Sequence, residues 1–378
     1  MLNSLEITNF RLLEHLTVPK LGRVNLIVGK NNCGKSSVLE ALRIYAGNAQ
    51  RDLLQALALA HNERGLVVNL GDSPDHPHPF EAFFSGREFS PAHAGTITIG
   101  PASSRQDSLH IAHGYLIDEE VEVETDEGKL LQTRTHFTQQ TTWFDVPPLP
   151  CLRIIKGEHQ LYDIRLDKAN TPLRSSIWAR RMAALPCSHI PTQFVSLGEL
   201  ADEWDKIALT DAQDVIREAL QIIAPDFEAL TFVRDLGAQG LQRTAKVKLK
   251  TFPHPVPLRS LGDGIVRILQ LVLKLFPARG GFLLIDEFEN GLHFSVQEKI
   301  WTLLLRMAER LDIQVFATTH SWDCIESFAR AAHANKAAEG LLFRLGHSVR
   351  TSDRGQIIAT VFDEDQLYSV TQADVEVR

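Results

Sequence analysis

The segment Gly29–Ser37, GKNNCGKSS, constrains the fold more than any other part of the chain. It fits G-x-x-x-x-G-K-[ST] at each required place. An apolar run, Val24–Val28 (VNLIV), precedes it, and a helical stretch from Ser36 to Ala46 follows, with Val38, Ala41, Leu42 and Tyr45 at helical spacing. A glycine-bearing loop between a buried strand and a helix start curls its backbone N–H groups inward. They then meet the positive end of the helix dipole, which makes a cradle for phosphate. Lys35 is expected to reach the β- and γ-phosphates, and the Ser36 hydroxyl to coordinate Mg²⁺. Gly29, Asn31, Asn32, Cys33, Gly34 and Ser37 complete the expected nucleotide loop, with Cys33 a passive filler.

A second element lies far downstream, in Leu283–His293, LLIDEFENGLH. An apolar run ending in Asp286-Glu287 places two acids at the end of a strand. Asp286 is expected to hold Mg²⁺, and Glu287 to polarise an attacking water. A third strand, in IQVFATTHS, ends beside His320.

The rest of the chain is read around these pieces. Leu5–Ile7 reads as a strand leading into an Asn9-Phe10-Arg11 turn. From about 70 to 155, Pro/His-rich and Gly-rich breaks separate strand-like pieces at Thr96–Ile99, Leu109–Leu116 and Val121–Val123, with a turn signal at Asp126-Glu127-Gly128. Helices are predicted at Leu197–Ala208 and Asp211–Ile223. A strand at Ala245–Thr251 and a helix at Gly264–Phe276 come next, then a strand at Phe282–Ile285 and a helix at Phe294–Leu311. A strand at Ile313–Ala317, a helix from Trp322 to about His333, two more strands and a closing helix, Glu364–Val375, end the chain. Strands alternating with helices predict an α/β fold, a mostly parallel sheet flanked by helices. The expected division is a discontinuous ATP-binding domain, 1–70 and 225–378, with 71–224 an inserted β-rich and helical lobe.

Charge and cysteines bound the setting. Lys plus Arg (39) against Asp plus Glu (47) leaves a net charge of −8, which argues against coating nucleic acid by bulk charge. The four cysteines form no CxxC pair, so neither a zinc site nor a disulfide framework is expected, and a cytoplasmic setting is. The most apolar stretch, Ile265–Phe276, is interrupted by Arg267, Gln270 and Lys274, and is too short and charged to span a membrane.

The pieces together resemble ABC-type P-loop ATPases. Pro257–Leu269, PLRSLGDGIVRIL, is similar to their S-x-G-x-G signature, here Ser260, Leu261, Gly262, Asp263 and Gly264. That resemblance implies that the signature contacts the γ-phosphate held by a second subunit, giving an ATP-dependent homodimer or higher oligomer. It further implies that His320 is the switch histidine, and that Asn290 and Gly291 lie in the D-loop. The opening ITNFRLLEHLTV resembles the SMC and RecF branch, and SLGDG and DEFENGLH resemble the overcoming-lysogenization-defect (OLD) ATPases. By that likeness Arg11 joins the ATP-binding set. The likeness covers about 1–46 and 225–378. No Q-loop glutamine is assignable, with Gln132, Gln139, Gln140 and Gln193 all candidates.

OLD enzymes carry a C-terminal Toprim nuclease domain, and the chain ends too soon after His320 to hold one. The acids Asp363-Glu364-Asp365 read as the opening of the last helix rather than a metal site. The implied role is an ATPase that senses or regulates for a separately encoded effector, a Toprim-like nuclease in a prokaryotic defence or toxin-type system. The alternative is an SMC/RecF-like ATPase that clamps DNA. For it, Lys246, Lys248 and Lys250 would line one strand face, and Arg174, Arg180 and Arg181 form another basic group.

Overall fold

The computed structural model describes residues 1–63, 78–89, 95–125, 128–139, 148–167, 174–175, 179, 181–210, 212–237, 240–335, 338–350 and 355–372. The chain opens with the hairpin β1 (Leu5–Phe10) and β2 (Leu13–Val18), then β3 (Val24–Gly29), α1 (Lys35–Ala46) and α2 (Arg51–Ala60). The strands β4 (Thr96–Gly100), β5 (Leu109–Thr125), β6 (Gly128–Thr138), β7 (Leu149–Lys156), β8 (His159–Arg165), β9 (Arg174–Ser175) and β10 (Cys187–Ile190) follow. Next come α3 (Leu197–Ile207), α4 (Ala212–Gln221), β11 (Phe227–Gly237), β12 (Gly240–Leu249), β13 (Val256–Pro257), α5 (Asp263–Leu275) and β14 (Phe282–Ile285). The chain continues through α6 (Phe294–Arg310), β15 (Gln314–Thr318), α7 (Trp322–Ala334), β16 (Gly340–His347), β17 (Ile357–Phe362) and α8 (Glu364–Gln372).

A six-stranded sheet, ordered β10-β14-β15-β3-β16-β17, is parallel except for the β16–β17 pair. Its strands read as continuous apolar runs because both faces are covered. Val24, Leu26 and Val28 of β3 face one core with α5, α6 and α7, while Ile27 faces the other with α1 and α2. β14 divides the same way, Leu283 and Ile285 against Phe282 and Leu284. The second core is closed by an eight-stranded antiparallel sheet, β2-β1-β4-β5-β7-β8-β9 with β6 on β5. A small antiparallel sheet of β11, β12 and β13 packs on the first core.

Three expectations are corrected by these pairings. Leu109–Leu116 and Val121–Val123 are parts of one strand, β5, rather than two; the expected turn at Asp126-Glu127 lies outside the described residues. The first 46 residues hold three strands, because Leu13, Leu16 and Val18 bury β2 against β1 despite an imperfect alternation. The span 71–224 is not one separate lobe: β4 pairs with β1, and β10 is the edge strand of the parallel sheet beside β14. Pairing across so long a separation leaves no local mark in the sequence.

Candidate functional site: a phosphate loop facing an acid pair

Parallel strands send their C-terminal ends to one edge of the sheet, and ligands of such sheets bind there. Here β3, β15 and β14 are adjacent, with Ile27 beside Thr318 and Ala317 beside Ile285. The phosphate loop, His320 and the acid pair therefore emerge side by side. They line a cleft of about 240 Å³ with Leu12, Asn31, Asn32, Gly34, Lys35, Ser36, Ser37, Asp286, Glu287 and His320.

The loop is held open by its glycines. Gly29 has φ of 144°, and a Cβ there would collide with the Leu345 carbonyl of β16 and the Cys33 sulfur. The Lys35 ammonium is buried and donates to the carbonyls of Gly29 (2.8 Å) and Lys30 (3.0 Å). Burial pushes its pKa below the ordinary lysine value, opposed by Cys33, Asp286, Glu287 and Glu289. A desolvated ammonium at the mouth of an anion cradle is poised for phosphate oxygens. Cys33 is buried and its thiol is pushed up by desolvation.

On the opposite wall, the Ser36 hydroxyl faces the Asp286 carboxylate at 3.3 and 3.4 Å. Thr318 fixes that carboxylate: its hydroxyl donates to Asp286 Oδ1 at 2.6 Å and accepts the Glu287 N–H at 2.9 Å. A hydroxyl and one carboxylate suit Mg²⁺, which takes hard oxygen donors and keeps water and phosphate oxygens for its remaining positions. Among the described residues there is no cluster of three or more His, Cys, Asp or Glu arranged for a metal. Ser36 and Asp286 would thus hold Mg²⁺, and the charge it supplies would stabilise the phosphates.

Glu287 has φ of 48°, in the left-handed region, which costs a residue with a side chain roughly 1–2 kcal/mol. Phe288 helps hold it there, stacked on Trp301 at 3.7 Å between centroids, with its N–H on the Thr318 carbonyl. Arg267 of α5 completes the support. Its guanidinium, fully buried, donates to the carbonyls of Asp286 and Glu287 at 2.9 Å each and of Pro191 at 2.8 Å. Burial lowers its pKa to about 10.

Not every expected residue reaches the cleft. Arg11, with φ of 50°, turns its guanidinium to Glu40 of α1 at 2.7 Å and over the Phe83 ring, and it is not part of the cleft lining. The signature is also elsewhere. Ser260 is exposed and bonds the Pro257 carbonyl at 2.6 Å, and Gly262 starts α5 with φ of 94°. No side chain caps α5, so its first N–H groups have no side-chain acceptor. Gly264 lies so close to the Gly291 carbonyl that a Cβ would come within 2.9 Å, which ties the signature to the loop holding Asn290.

Of the Q-loop candidates, the side chains of Gln132 and Gln140 lie outside the described residues. Gln139 is bound to Thr96 and the His113 carbonyl in the antiparallel sheet. Gln193 follows β10, beside β14, next to Thr192, whose carbonyl accepts the Asn290 amide. Lys246, Lys248 and Lys250 do alternate with buried Ala245, Val247 and Leu249, but Lys248 is ion-paired with Glu228 at 2.7 Å. The Arg174 side chain and Arg180 lie outside the described residues, and Arg181 is exposed. Asp363 and Glu364 open α8, accepting the N–H groups of Gln366 and Gly340 at 2.8 Å each.

Residues 1–123 match the family model "AAA ATPase domain". Residues 195–323 match "AAA domain, putative AbiEii toxin, Type IV TA system". The first span holds the phosphate loop and the second the signature and the acid pair. The chain is a P-loop ATPase. The ATPase is 22% identical over 354 residues, 86% of its length and 87% of the relative's, to an ATP/GTP phosphatase of Helicobacter pylori. It is also similar to an SMC head bound to the C-winged helix domain of ScpA (13% identity, 96% of this chain and 97% of that one, TM-score 0.48). The SMC head domain of Thermotoga maritima gives 12% identity, 96% and 98% coverage and a TM-score of 0.43. No helix among the described residues of the ATPase is long and apolar enough to cross a membrane.

Residue reading alone missed Thr318 and Arg267. Thr318 carries a faint signal as a polar residue ending an apolar strand; Arg267 carries none beyond interrupting an apolar helix.

Proposed function

We propose that this chain is an OLD-like ATPase that closes on a second copy of itself around ATP and Mg²⁺, and couples that cycle to a separately encoded effector. The cleft carries the reading: Lys35 and the loop N–H groups stand ready for phosphate, opposite a strained Glu287 held within the same cleft. Lys35 neutralises charge on the β- and γ-phosphates. Ser36 and Asp286 would hold Mg²⁺, whose charge would stabilise the phosphates. Glu287 accepts a proton from the attacking water, and His320 orients that water against the γ-phosphate. Ser260–Gly264 are exposed or half-buried at an uncapped helix start and do not line their own cleft, which fits a role at the partner copy's ATP. Gln193, in the loop after the strand that flanks β14, is the Q-loop glutamine in this reading. The description of the model matching 195–323, with its toxin system, supports a defence or toxin-type setting.

The test is steady-state ATP turnover and oligomeric mass with and without ATP, for wild type, Glu287→Gln and Ser260→Arg. The reading expects Glu287→Gln to bind ATP, turn over at least about 100-fold more slowly and accumulate as a dimer. Ser260→Arg should bind ATP as a monomer and fail to dimerise. Normal turnover by Glu287→Gln would sink the base assignment. Strong stimulation of wild type by duplex DNA would transfer support to the clamp reading.

A further inference from the structure

Glu289 stands just past the base, in the turn between β14 and α6, and has no role in the scheme above. Its Oε1 accepts the backbone N–H of His320 at 2.9 Å. Its Oε2 is buried and has no hydrogen-bond partner among the described residues. The bond therefore runs from the loop after one strand to the loop after its neighbour.

The two ends of that bond are unequally restrained. The Glu289 turn is anchored on both sides: Phe288 is stacked on Trp301, and the Asn290 amide is bound to the Thr192 carbonyl. His320 comes after β15 has ended at Thr318, where ladder pairing no longer holds the chain. Thr319 still donates to Ile27, but beyond it the backbone N–H of His320 is held by Glu289. A carboxylate acceptor makes a stronger bond than a neutral one, and Arg267 supplies the neighbouring buried positive charge. A buried carboxylate without such a countercharge would be costly.

We propose that Glu289 is a positioning residue for ATP hydrolysis: by pegging the His320 backbone to the acid turn, it sets where the imidazole meets the γ-phosphate. This rests on the assignment of Glu287 and His320 given above. Among the described residues the peg makes no hydrogen bond to the phosphate loop and reaches Lys35 only through its charge, so it acts mainly on the chemical step. A backbone displaced by about 1 Å is enough to lower a rate on the order of 100-fold.

The experiment compares kcat, KM and the Kd of a fluorescent ATP analogue for wild type, Glu289→Ala, Glu289→Gln, His320→Ala and the Glu289→Ala/His320→Ala double variant. Glu289→Ala should lower kcat on the order of 10- to 100-fold, with Kd changed by less than about threefold. Glu289→Gln should recover most of the rate, because its amide oxygen still accepts the His320 N–H. The double variant should be no slower than His320→Ala, since the peg acts only through that histidine. Wild-type turnover by Glu289→Ala, a Gln variant as slow as the Ala variant, or two losses that multiply would each overturn the proposal. Should Glu289→Ala not fold, the Gln variant decides: a kcat below about one tenth of wild type overturns it. Glu287→Gln is run beside these. If that variant hydrolyses ATP normally the base assignment fails by itself, whereas slow Glu287→Gln with multiplying losses defeats only the peg.

Discussion

Lys35 and Glu287 show opposite ways in which one residue carries function at a cost to the fold. Lys35 is held as a buried cation whose pKa burial depresses, so the apo protein gains little from its charge. Lys35→Ala is expected to weaken ATP binding by roughly 30-fold or more, the loss of a charge-assisted hydrogen bond worth about 2 kcal/mol. Its melting temperature should not fall. Calorimetric titration and a thermal melt check both halves of that statement. At Glu287 the cost is backbone strain. Glu287→Gly removes the strain together with the carboxylate, so it should be inactive yet as stable as wild type, or more stable by about 1 kcal/mol. A urea midpoint clearly below wild type would show that the left-handed turn stores no strain. Both residue types stood out in the sequence as motif positions; the strain at Glu287 did not, because φ is set by Phe288, Thr318 and Arg267 around it.

At the scale of elements, α5 joins the signature at its start to the acid turn through Arg267, one turn further along. The guanidinium satisfies carbonyls from β14's end and from the loop after β10, so three segments share one buried cation. Arg267→Met removes the charge and takes away the donor to the Asp286 and Pro191 carbonyls, while the Glu287 carbonyl keeps the Asn290 N–H. It should destabilise by about 3 kcal/mol, readable in urea denaturation, and Arg267→Lys should recover only part, since an ammonium cannot fork to several carbonyls. A Met variant with an unchanged midpoint would mean that water replaces the guanidinium. Helix α5 itself was legible: Gly264–Phe276 was expected and Asp263–Leu275 is found. Arg267 and Gln270 then counted only as interruptions of an apolar run. Both are fully buried, which no periodicity announces.

For the whole molecule, half-buried histidines tie stability to pH. Burial lowers His78 and His113 to about 4 and His189 to about 3, with Arg51 and His113 adding to His78, and Arg43, Arg267 and Lys274 to His189. The folded protein keeps these rings neutral where the unfolded chain, with ordinary values near 6.5, takes up protons. The unfolded state thus binds more protons between pH 6.5 and about 4, so stability falls as pH falls through that window and is unaffected above it. The loss should reach on the order of 1–2 kcal/mol per histidine by pH 5. His113 stacks on Phe89 at 4.0 Å, so His113→Phe keeps a ring there and should flatten the acid limb of a stability–pH curve. An unchanged slope in that variant would assign the acid sensitivity to carboxylates instead.

What the sequence by itself determined is the set of parts and their local frames. The phosphate loop lies between its strand and helix, the acid pair ends an apolar strand, and His320 closes the next one. Each is announced by residue types at short, fixed spacing, because each does its work through its own backbone turn or its own side chain. Tertiary structure alone decided how the parts meet. It wove β4 and β10 out of the expected lobe into both sheets and turned Arg11 to Glu40. It also brought Arg267 and Thr318 onto the acid pair and Glu289 onto the His320 N–H. Arg267 and Glu289 bond mainly to backbone carbonyl and N–H groups, and Thr318 also takes a backbone N–H. Every residue but proline carries both groups, so the residue type at a backbone partner leaves no pattern to read.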